Sequence, residues 1–430
     1  MQIRRAAIAL LAAATLAACG GPASAPGPLA LDRSKVAFDQ IGIDDTRADV
    51  TALVGTATRL GAELVKPDGR AGATAVSPWS VLSLLGMLRT GADGESAAQL
   101  DAVGLGAARD LPRAMAALTG QAGQWAGDPG TIPAGSPPAA PLFQSQVALL
   151  TASRPTVRAD YLDALAKTYG TGVYPVDFTR DVRESLGEWA AVNTGSILTS
   201  VPLRTDGNTR LAAASTAYLA VAWRYPFDAS LTRPRPFAAA DGGTVEPTTM
   251  RGTIPARVAS GDGFTALQLD YGISTLALQV VLPNPGVPLT EAATDARFTA
   301  ARLALAAAPI AAHEVSLPKW RSASWTALVE PLRSLGVTGV FTTGAGLDGI
   351  AAGGPTVADA RAAAVLTVGE KGTASDSATA SAAPKPPGPA DQTEPSPGPA
   401  PFAVDRAFAY SVVDTATGLP LLMGTVNRPG

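Results

Sequence analysis

The sequence predicts a mixed α+β fold, in which helices and strands follow one another in no regular order. Between Val147 and Val281, short runs with the two-residue period of strands alternate with runs of helical period. This irregular alternation favours an α+β fold over a doubly wound parallel sheet. Hydrophobic residues make up 47% of the 430 residues, which is enough for one large core.

The N-terminus has the features of a bacterial lipoprotein signal peptide, which we assign to residues 1–18. Two arginines precede the apolar run Ala6–Ala18, which is too short to span a bilayer permanently. The run ends in Leu16-Ala17-Ala18-Cys19-Gly20, which resembles a lipobox. We therefore expect a lipid on Cys19, an extracytoplasmic location and attachment to the membrane. The alternative is an ordinary secretory signal with an incidental cysteine.

Residues 19–39 are expected to comprise the lipidated cysteine and a flexible tether, because the chain after Cys19 is rich in Gly, Pro, Ala and Ser. Residues 40–430 then form a single domain. Within it, apolar spacing predicts a helix over Asp49–Val65, and Ser77-Pro78 is a start signal for a second helix over Val81–Leu88.

Strands are predicted where apolar residues have the two-residue period or form short runs that end at a turn residue. The clearest of these are Leu211–Val221, Ala266–Leu269 and Ser274–Leu282, and near the C-terminus Phe408–Val413 and Leu421–Val426. Gly127–Pro141 is rich in Pro and Gly and is expected to be an exposed insertion.

Catalytic chemistry has little material in this chain, and we expect that the protein is not an enzyme. It contains one histidine, His313, and one cysteine, Cys19, so triads, thiol nucleophiles and histidine-rich metal sites are disfavoured. His313 precedes the apolar run Val315–Leu317 and is interpreted as a solvated histidine at a strand end. No cofactor or metal is expected. A net charge of −3 without a basic stripe argues against nucleic acid as a partner.

The segment Thr367–Ala383 has the period of a strand without the large apolar side chains that hold a strand in a sheet. From Thr373 onward every second residue is small, and Asp376 has the opposite parity, which would turn its charge outward. The eleven residues from Thr373 to Ala383 would extend about 36 Å at roughly 3.3 Å each. Pro384–Pro401 follows, with eight prolines in eighteen residues, and cannot donate a regular hydrogen-bond ladder. The small alternate residues are Thr373, Ser375, Ser377, Thr379, Ser381 and Ala383.

Several motifs in fixed order resemble those of the serpin family over roughly residues 40–429. They are Ser77-Pro78-Trp79-Ser80, Trp189 with Thr194 and Gly195, Trp223 with Phe227, Leu317-Pro318-Lys319-Trp320, Glu370-Lys371-Gly372-Thr373, Asp405-Arg406 with Phe408, and Leu421-Leu422-Met423-Gly424.

The resemblance implies a serpin fold, with about eight or nine helices around three β-sheets and an exposed reactive-centre loop at residues 367–401. It also implies a suicide-substrate inhibitor of a serine protease or, alternatively, a cysteine protease. The protease cleaves the loop, whose N-terminal half then inserts into the five-stranded sheet A. We expect a monomer. The alternative is a non-inhibitory member whose proline-rich loop recognises a partner.

The resemblance also implies roles for individual residues. Two positions where the family carries shutter asparagines read Ala73 and Ser215 here, and the position of its histidine reads Ala362. The scissile bond is not fixed, because counting from the hinge and counting back from Phe402 give different positions. The implied sets are a hinge (Glu370, Gly372, Thr373, Ser375, Ser377, Thr379), a breach (Trp223, Lys319, Glu370), a shutter (Ser77, Ser80, Ser215) and a scissile region (Ala383, Lys385, Pro386, Thr393, Glu394).

Overall fold

The computed structural model describes residues 29–67, 72–374 and 400–429. Its α-helices are α1 (Arg47–Leu64), α2 (Pro78–Thr90), α3 (Gly94–Ala102), α4 (Leu111–Gly123), α5 (Ala159–Tyr169), α6 (Arg183–Thr194), α7 (Leu289–Ala292), α8 (Asp295–Ala307) and α9 (Val329–Ser334). Short 3₁₀ turns lie at Asp44–Thr46, Leu105–Ala107, Pro129–Thr131, Ala229–Leu231 and Gly339–Phe341.

The strands are β1 (Leu142–Ala152), β2 (Tyr174–Val176), β3 (Leu211–Ala222), β4 (Arg233–Pro234), β5 (Phe237–Ala238), β6 (Thr244–Val245), β7 (Thr248–Gly261), β8 (Phe264–Asp270), β9 (Leu276–Pro283), β10 (Ile310–Pro318), β11 (Trp320–Ala327), β12 (Val357–Gly369), β13 (Gly372–Thr373), β14 (Pro401–Ala403), β15 (Phe408–Asp414) and β16 (Pro420–Val426). The signal peptide and several predicted site residues lie outside the described residues. These are Cys19, Ser375, Ser377, Thr379, Ala383, Lys385, Pro386, Thr393 and Glu394.

The described strands form three sheets. Sheet A has the order β11-β12-β13-β3-β1-β2. A second sheet has the order β14-β10-β7-β8-β9-β15-β16, with β4 beside β7, and β5 pairs with β6 in a small third sheet. Within the described ranges, nine helices surround these three sheets, so the predicted α+β class and its approximate helix count are confirmed.

The middle of sheet A is a junction at which β12 and β3 run parallel to each other. Over most of its length the two strands pair directly, from Val357 opposite Leu211 to Val365 opposite Tyr218. At the far end the two-residue strand β13 lies between them and is antiparallel to both. The two strands are therefore paired directly along most of the junction and are separated by one short strand, β13, at one end.

The main core lies beneath sheet A, against α1, α2 and the second sheet. Every residue from Pro78 to Leu88 in α2 is buried, as is typical of a helix that is apolar on all sides. On the outer face of sheet A, α6 packs Leu186 and Trp189 against β1 and β3 and forms a second apolar cluster. Sheet A is thus covered on both faces near α6.

The segment 29–39, which we had assigned to the flexible tether, lies against the domain. Asp32 and Val173 exchange backbone hydrogen bonds of 2.8 and 2.9 Å, and the Ser34 hydroxyl donates to Asp163. A Cβ on Gly172 would lie 1.9 Å from the Asp32 carbonyl oxygen, so only glycine permits this approach. Residues 29–39 therefore belong to the folded domain, and the tether is shorter than the range 19–39.

Two further segments differ from expectation. The insertion 127–141 is tied to sheet A, because the Pro138 carbonyl accepts a hydrogen bond of 2.8 Å from the Ala222 amide. His313 lies inside β10 and not at a strand end, since β10 begins at Ile310 and pairs there with β7.

We expect Ser77→Ala to reduce the free energy of unfolding by about 1 kcal/mol, because the Ser77 hydroxyl accepts from the Ser80 amide at the start of α2. Ser83, on the same helix, is a matched control, since it is also buried and its hydroxyl has no hydrogen-bond partner in the described chain. Ser83→Ala should be neutral or slightly stabilising in urea unfolding. Equal losses in the two variants would contradict the capping role.

Candidate functional site: the breach cluster

The predicted hinge begins where the chain turns out of β12 and enters β13. Gly372 has a φ of +147°, and a Cβ there would lie 2.2 Å from the Val221 carbonyl oxygen. Any other residue would therefore meet both a strained backbone angle and the main chain of β3. This close approach lets β13 fit between β12 and β3.

Thr373 is fully buried and is held by a tyrosine that our sequence reasoning missed. The hydroxyls of Thr373 and Tyr271 lie 2.7 Å apart beneath sheet A. Burial raises the pKa of Tyr271 far above its usual value, so the phenol keeps its proton and can donate. The next residue, Ala374, packs on the outer face against Tyr218 and Val365. Thr373 and Ala374 thus face opposite sides of sheet A, as in a strand.

Trp223 fastens the turn between β12 and β13. Its ring stacks on Tyr271 with centroids 4.4 Å apart and planes 4° from parallel. The indole Nε1 donates to the Gly369 carbonyl at 2.8 Å, and the Trp223 amide donates to the Lys371 carbonyl at 2.9 Å. Trp223 therefore contacts Tyr271 and the end of β12 through its side chain, and the turn through its backbone amide.

The turn is also held by an ion pair between Lys319 and Glu370. Lys319 Nζ lies 3.1 Å from Glu370 Oε2, and the Glu370 carbonyl accepts from the Phe227 amide. Burial opposes ionisation of Glu370, but its own backbone N–H and the Lys319 ammonium outweigh that effect and lower its pKa. We use the term breach cluster for Trp223, Tyr271, Lys319, Glu370 and Thr373.

The three predicted shutter serines do not form one hydrogen-bond network. Ser80 Oγ is 2.8 Å from Ser145 Oγ on β1, and Ser77 caps α2. Ser215 is fully buried, and its hydroxyl has no hydrogen-bond partner in the described part of the chain. It lies opposite Ala362 across the β12–β3 junction. Ala362 has only a methyl side chain, so it offers the Ser215 hydroxyl no hydrogen-bond partner from β12.

Ala73 lies away from this group, in an isolated bridge with Val426 of β16. Across residues 29–67, 72–374 and 400–429, no group of three or more His, Cys, Asp or Glu side chains is placed to hold a metal. Among the helices described in these ranges, none is long and apolar enough to cross a membrane.

The lowered pKa of Glu370 predicts an acid-sensitive contribution to stability. The contribution is complete above the ordinary carboxyl pKa, about 4.3, and is lost as the pH falls through the lower folded-state pKa. We therefore expect Glu370→Gln to be less stable than the parent near neutral pH, with the difference shrinking in acid. Glu330→Gln removes one partner of an exposed pair with Arg333 and is the control. A difference that does not change with pH would contradict this account.

The Tyr271–Thr373 bond is open to a double-mutant cycle. Tyr271→Phe keeps the ring stacked on Trp223, and Thr373→Val keeps the shape of the hinge residue. Each variant should lose stability, and the coupling energy between them should be about 1 kcal/mol. Unfolding of the parent, both single variants and the double variant measures the coupling. A coupling energy near zero would mean that the two hydroxyls do not stabilise each other.

Comparison with known proteins gives one consistent result. The family model described as "Serpin (serine protease inhibitor)" matches residues 52–429. The chain is 26% identical to serpin-Z10 of Arabidopsis thaliana over 292 residues, covering 64% of this chain and 73% of the relative.

The native thermophilic serpin tengpin has a TM-score of 0.74 at 16% identity, over 94% of this chain and 100% of its own. Human thyroxine-binding globulin, complexed with thyroxine, has a TM-score of 0.72 at 19% identity, over 89% and 100%. The family model covers most of the chain, and the sheet order and helix count agree with the serpin fold. The chain therefore belongs to the serpin family.

Proposed function

We propose that this serpin is a membrane-anchored, extracytoplasmic inhibitor of a serine protease or, alternatively, a cysteine protease. It acts as a suicide substrate, and the N-terminal half of its cleaved loop inserts into sheet A. The observation that carries the proposal is the position of β13. Its two residues already lie between β12 and β3 and are antiparallel to both. They have the place and direction that an inserting strand needs.

The register of β13 defines what full insertion would do. Thr373 lies opposite Val221 of β3, and one-to-one continuation would bring Ala383 opposite Leu211, the first residue of that strand. The insertable segment thus matches the paired length of β3, and Pro384 would fall just beyond it. Insertion would replace one parallel pairing by two antiparallel ones, which are slightly more stable per residue. The sheet would gain a full strand.

The same register supports the side-chain pattern on the inner face of the sheet. Thr379 would lie opposite both Ser215 and Ala362, which already face each other across the junction. Its hydroxyl could bond to Ser215 Oγ, which has no partner in the described native chain. The small residue on β12 leaves room for this contact. Insertion would therefore satisfy a buried polar group.

Continued to Asp376, the register suggests a partner that its parity alone did not indicate. We had expected its charge to remain in solvent on the outer face of sheet A. The residues that would flank it are Tyr218 and Val365, and both are buried. The Tyr218 hydroxyl has no partner in the described residues and could donate to the Asp376 carboxylate. The charge would thus be bonded to tyrosine and not hydrated.

A specific observation favours the alternative, a non-inhibitory binding protein with a proline-rich recognition loop. The shutter retains the Ser80–Ser145 bond, while Ser215 is without a partner in the described chain. Without a complete hydrogen-bond network between β12 and β3, sheet A need not be held in a metastable state that insertion would relieve. Thyroxine-binding globulin, a structural neighbour, is named for its ligand and not for a protease.

Controlled cleavage of the loop within Pro384–Pro401 distinguishes the two functions. Thermal unfolding before and after cleavage should show a large rise in midpoint, because the inserted strand completes the sheet. Thr379→Arg places a charged side chain on the buried inner face and should abolish the rise. Gly388→Arg lies beyond the insertable length and should leave it intact. A cleaved parent protein with an unchanged midpoint would exclude insertion, and an SDS-stable complex with a protease would identify the target class.

A further inference from the structure

A groove rich in arginine lies at the end of sheet A opposite the breach cluster. It runs between the start of α6 and the loop that leads into β3, and has a volume of about 760 Å³. Arg180, Arg183 and Arg204 line it, together with Asp181 and Asp206. We call this feature the arginine groove.

Among the described residues, Arg180 and Arg204 form no salt bridge, although Asp177 lies close enough to Arg180 for a favourable electrostatic interaction. Arg183 pairs with Asp181 at 2.6 Å, and this hydrogen bond holds the pKa of Asp181 at about 2. The Asp206 carboxylate accepts from the Asn208 amide and the Thr209 hydroxyl. The side chains of Arg180 and Arg204 are exposed and are left to contact an external anion. A guanidinium binds phosphate with two parallel hydrogen bonds.

The N-terminal segment reaches the domain beside this groove. Leu29 and Leu203 both pack against the apolar cluster that includes Phe178 and Val182, and Phe178, Val182 and Leu203 also line the groove. Leu29 is ten residue steps from Cys19, a span of at most about 35 Å. A lipid on Cys19 would therefore hold this end of the domain close to the membrane.

The base of the reactive loop lies at the other end of β3. Leu211 begins the strand near the groove, and Ala222 ends it beside Gly372. The eleven steps between these residues, at roughly 3.3 Å each, separate the two ends by about 36 Å. Before the loop is cleaved and inserted, a membrane contact at the groove would leave the loop pointing away from the lipid surface, where a protease can approach it.

We propose that the arginine groove contacts the phosphate groups of anionic phospholipids and orients the anchored serpin with its reactive loop away from the membrane. This inference rests on the lipid anchor in the proposed function. The anchor supplies proximity to the bilayer, and Arg180 and Arg204 supply the preferred orientation. Each guanidinium near an anionic surface should favour the orientation with the groove against the membrane over other orientations by about fivefold.

The orientation can be measured on the full mature chain in vesicles. Cys19 is the only natural cysteine and is occupied by the lipid, so one introduced cysteine can carry a fluorophore. Asn208→Cys places it at the groove, and Ile273→Cys, at a residue 98% exposed, places it near the breach cluster. With a quencher on the lipid headgroups, Asn208→Cys should be strongly quenched in vesicles of anionic lipid and Ile273→Cys should not.

The double variant Arg180→Gln/Arg204→Gln should reduce the quenching at Asn208→Cys. The preference for the groove-down orientation that is derived from this quenching should fall by about tenfold or more. Arg233→Gln/Arg321→Gln removes the same charge from exposed positions elsewhere and should change nothing. Equal quenching at the two labels in anionic vesicles, or the same quenching at Asn208→Cys in vesicles of neutral lipid, would overturn the membrane contact. Failure of the anchor itself is read separately, as mature protein that stays out of the membrane fraction.

Discussion

The structure depends on how the chain is held where it leaves β12. Trp223 stacks on Tyr271 and donates a hydrogen bond to the Gly369 carbonyl. These contacts fix the position of the turn at the end of β12. Gly372 then passes within contact of the β3 backbone, and Thr373 is bonded beneath the sheet. This cluster positions the two residues of β13 between β12 and β3.

The junction below that cluster is built in a way that fits the proposed insertion of a strand. β12 and β3 face each other with small residues, among them Ala213, Ala214, Ala360 and Ala364, so few large side chains must be moved apart. Their parallel pairing is weaker per residue than the antiparallel pairing that an inserted strand would make. Under the proposed inhibitory function, the native state would persist because opening is slow and not because it is the most stable state.

Much of the site could be predicted from sequence, because Gly372, Trp223, Lys319 and Glu370 lie in local motifs. Tyr271 and Ser145 could not be found in this way, since their partners are distant in the chain and are brought close only by the fold. The tether was overestimated because Gly- and Pro-rich composition indicates freedom but does not reveal docking onto Val173. The sequence indicates the parity of Asp376, but it does not indicate that Tyr218 and Val365 are buried on the outer face of sheet A.

The separation across sheet A tests the central claim most directly. Spin labels at Pro175→Cys on β2 and Ser324→Cys on β11, both exposed residues at opposite edges, report the width of the sheet. After loop cleavage, insertion of one strand along the full junction should increase the distance between the labels by about 4.8 Å, the spacing of neighbouring strands. An unchanged distance in fully cleaved protein would contradict the account.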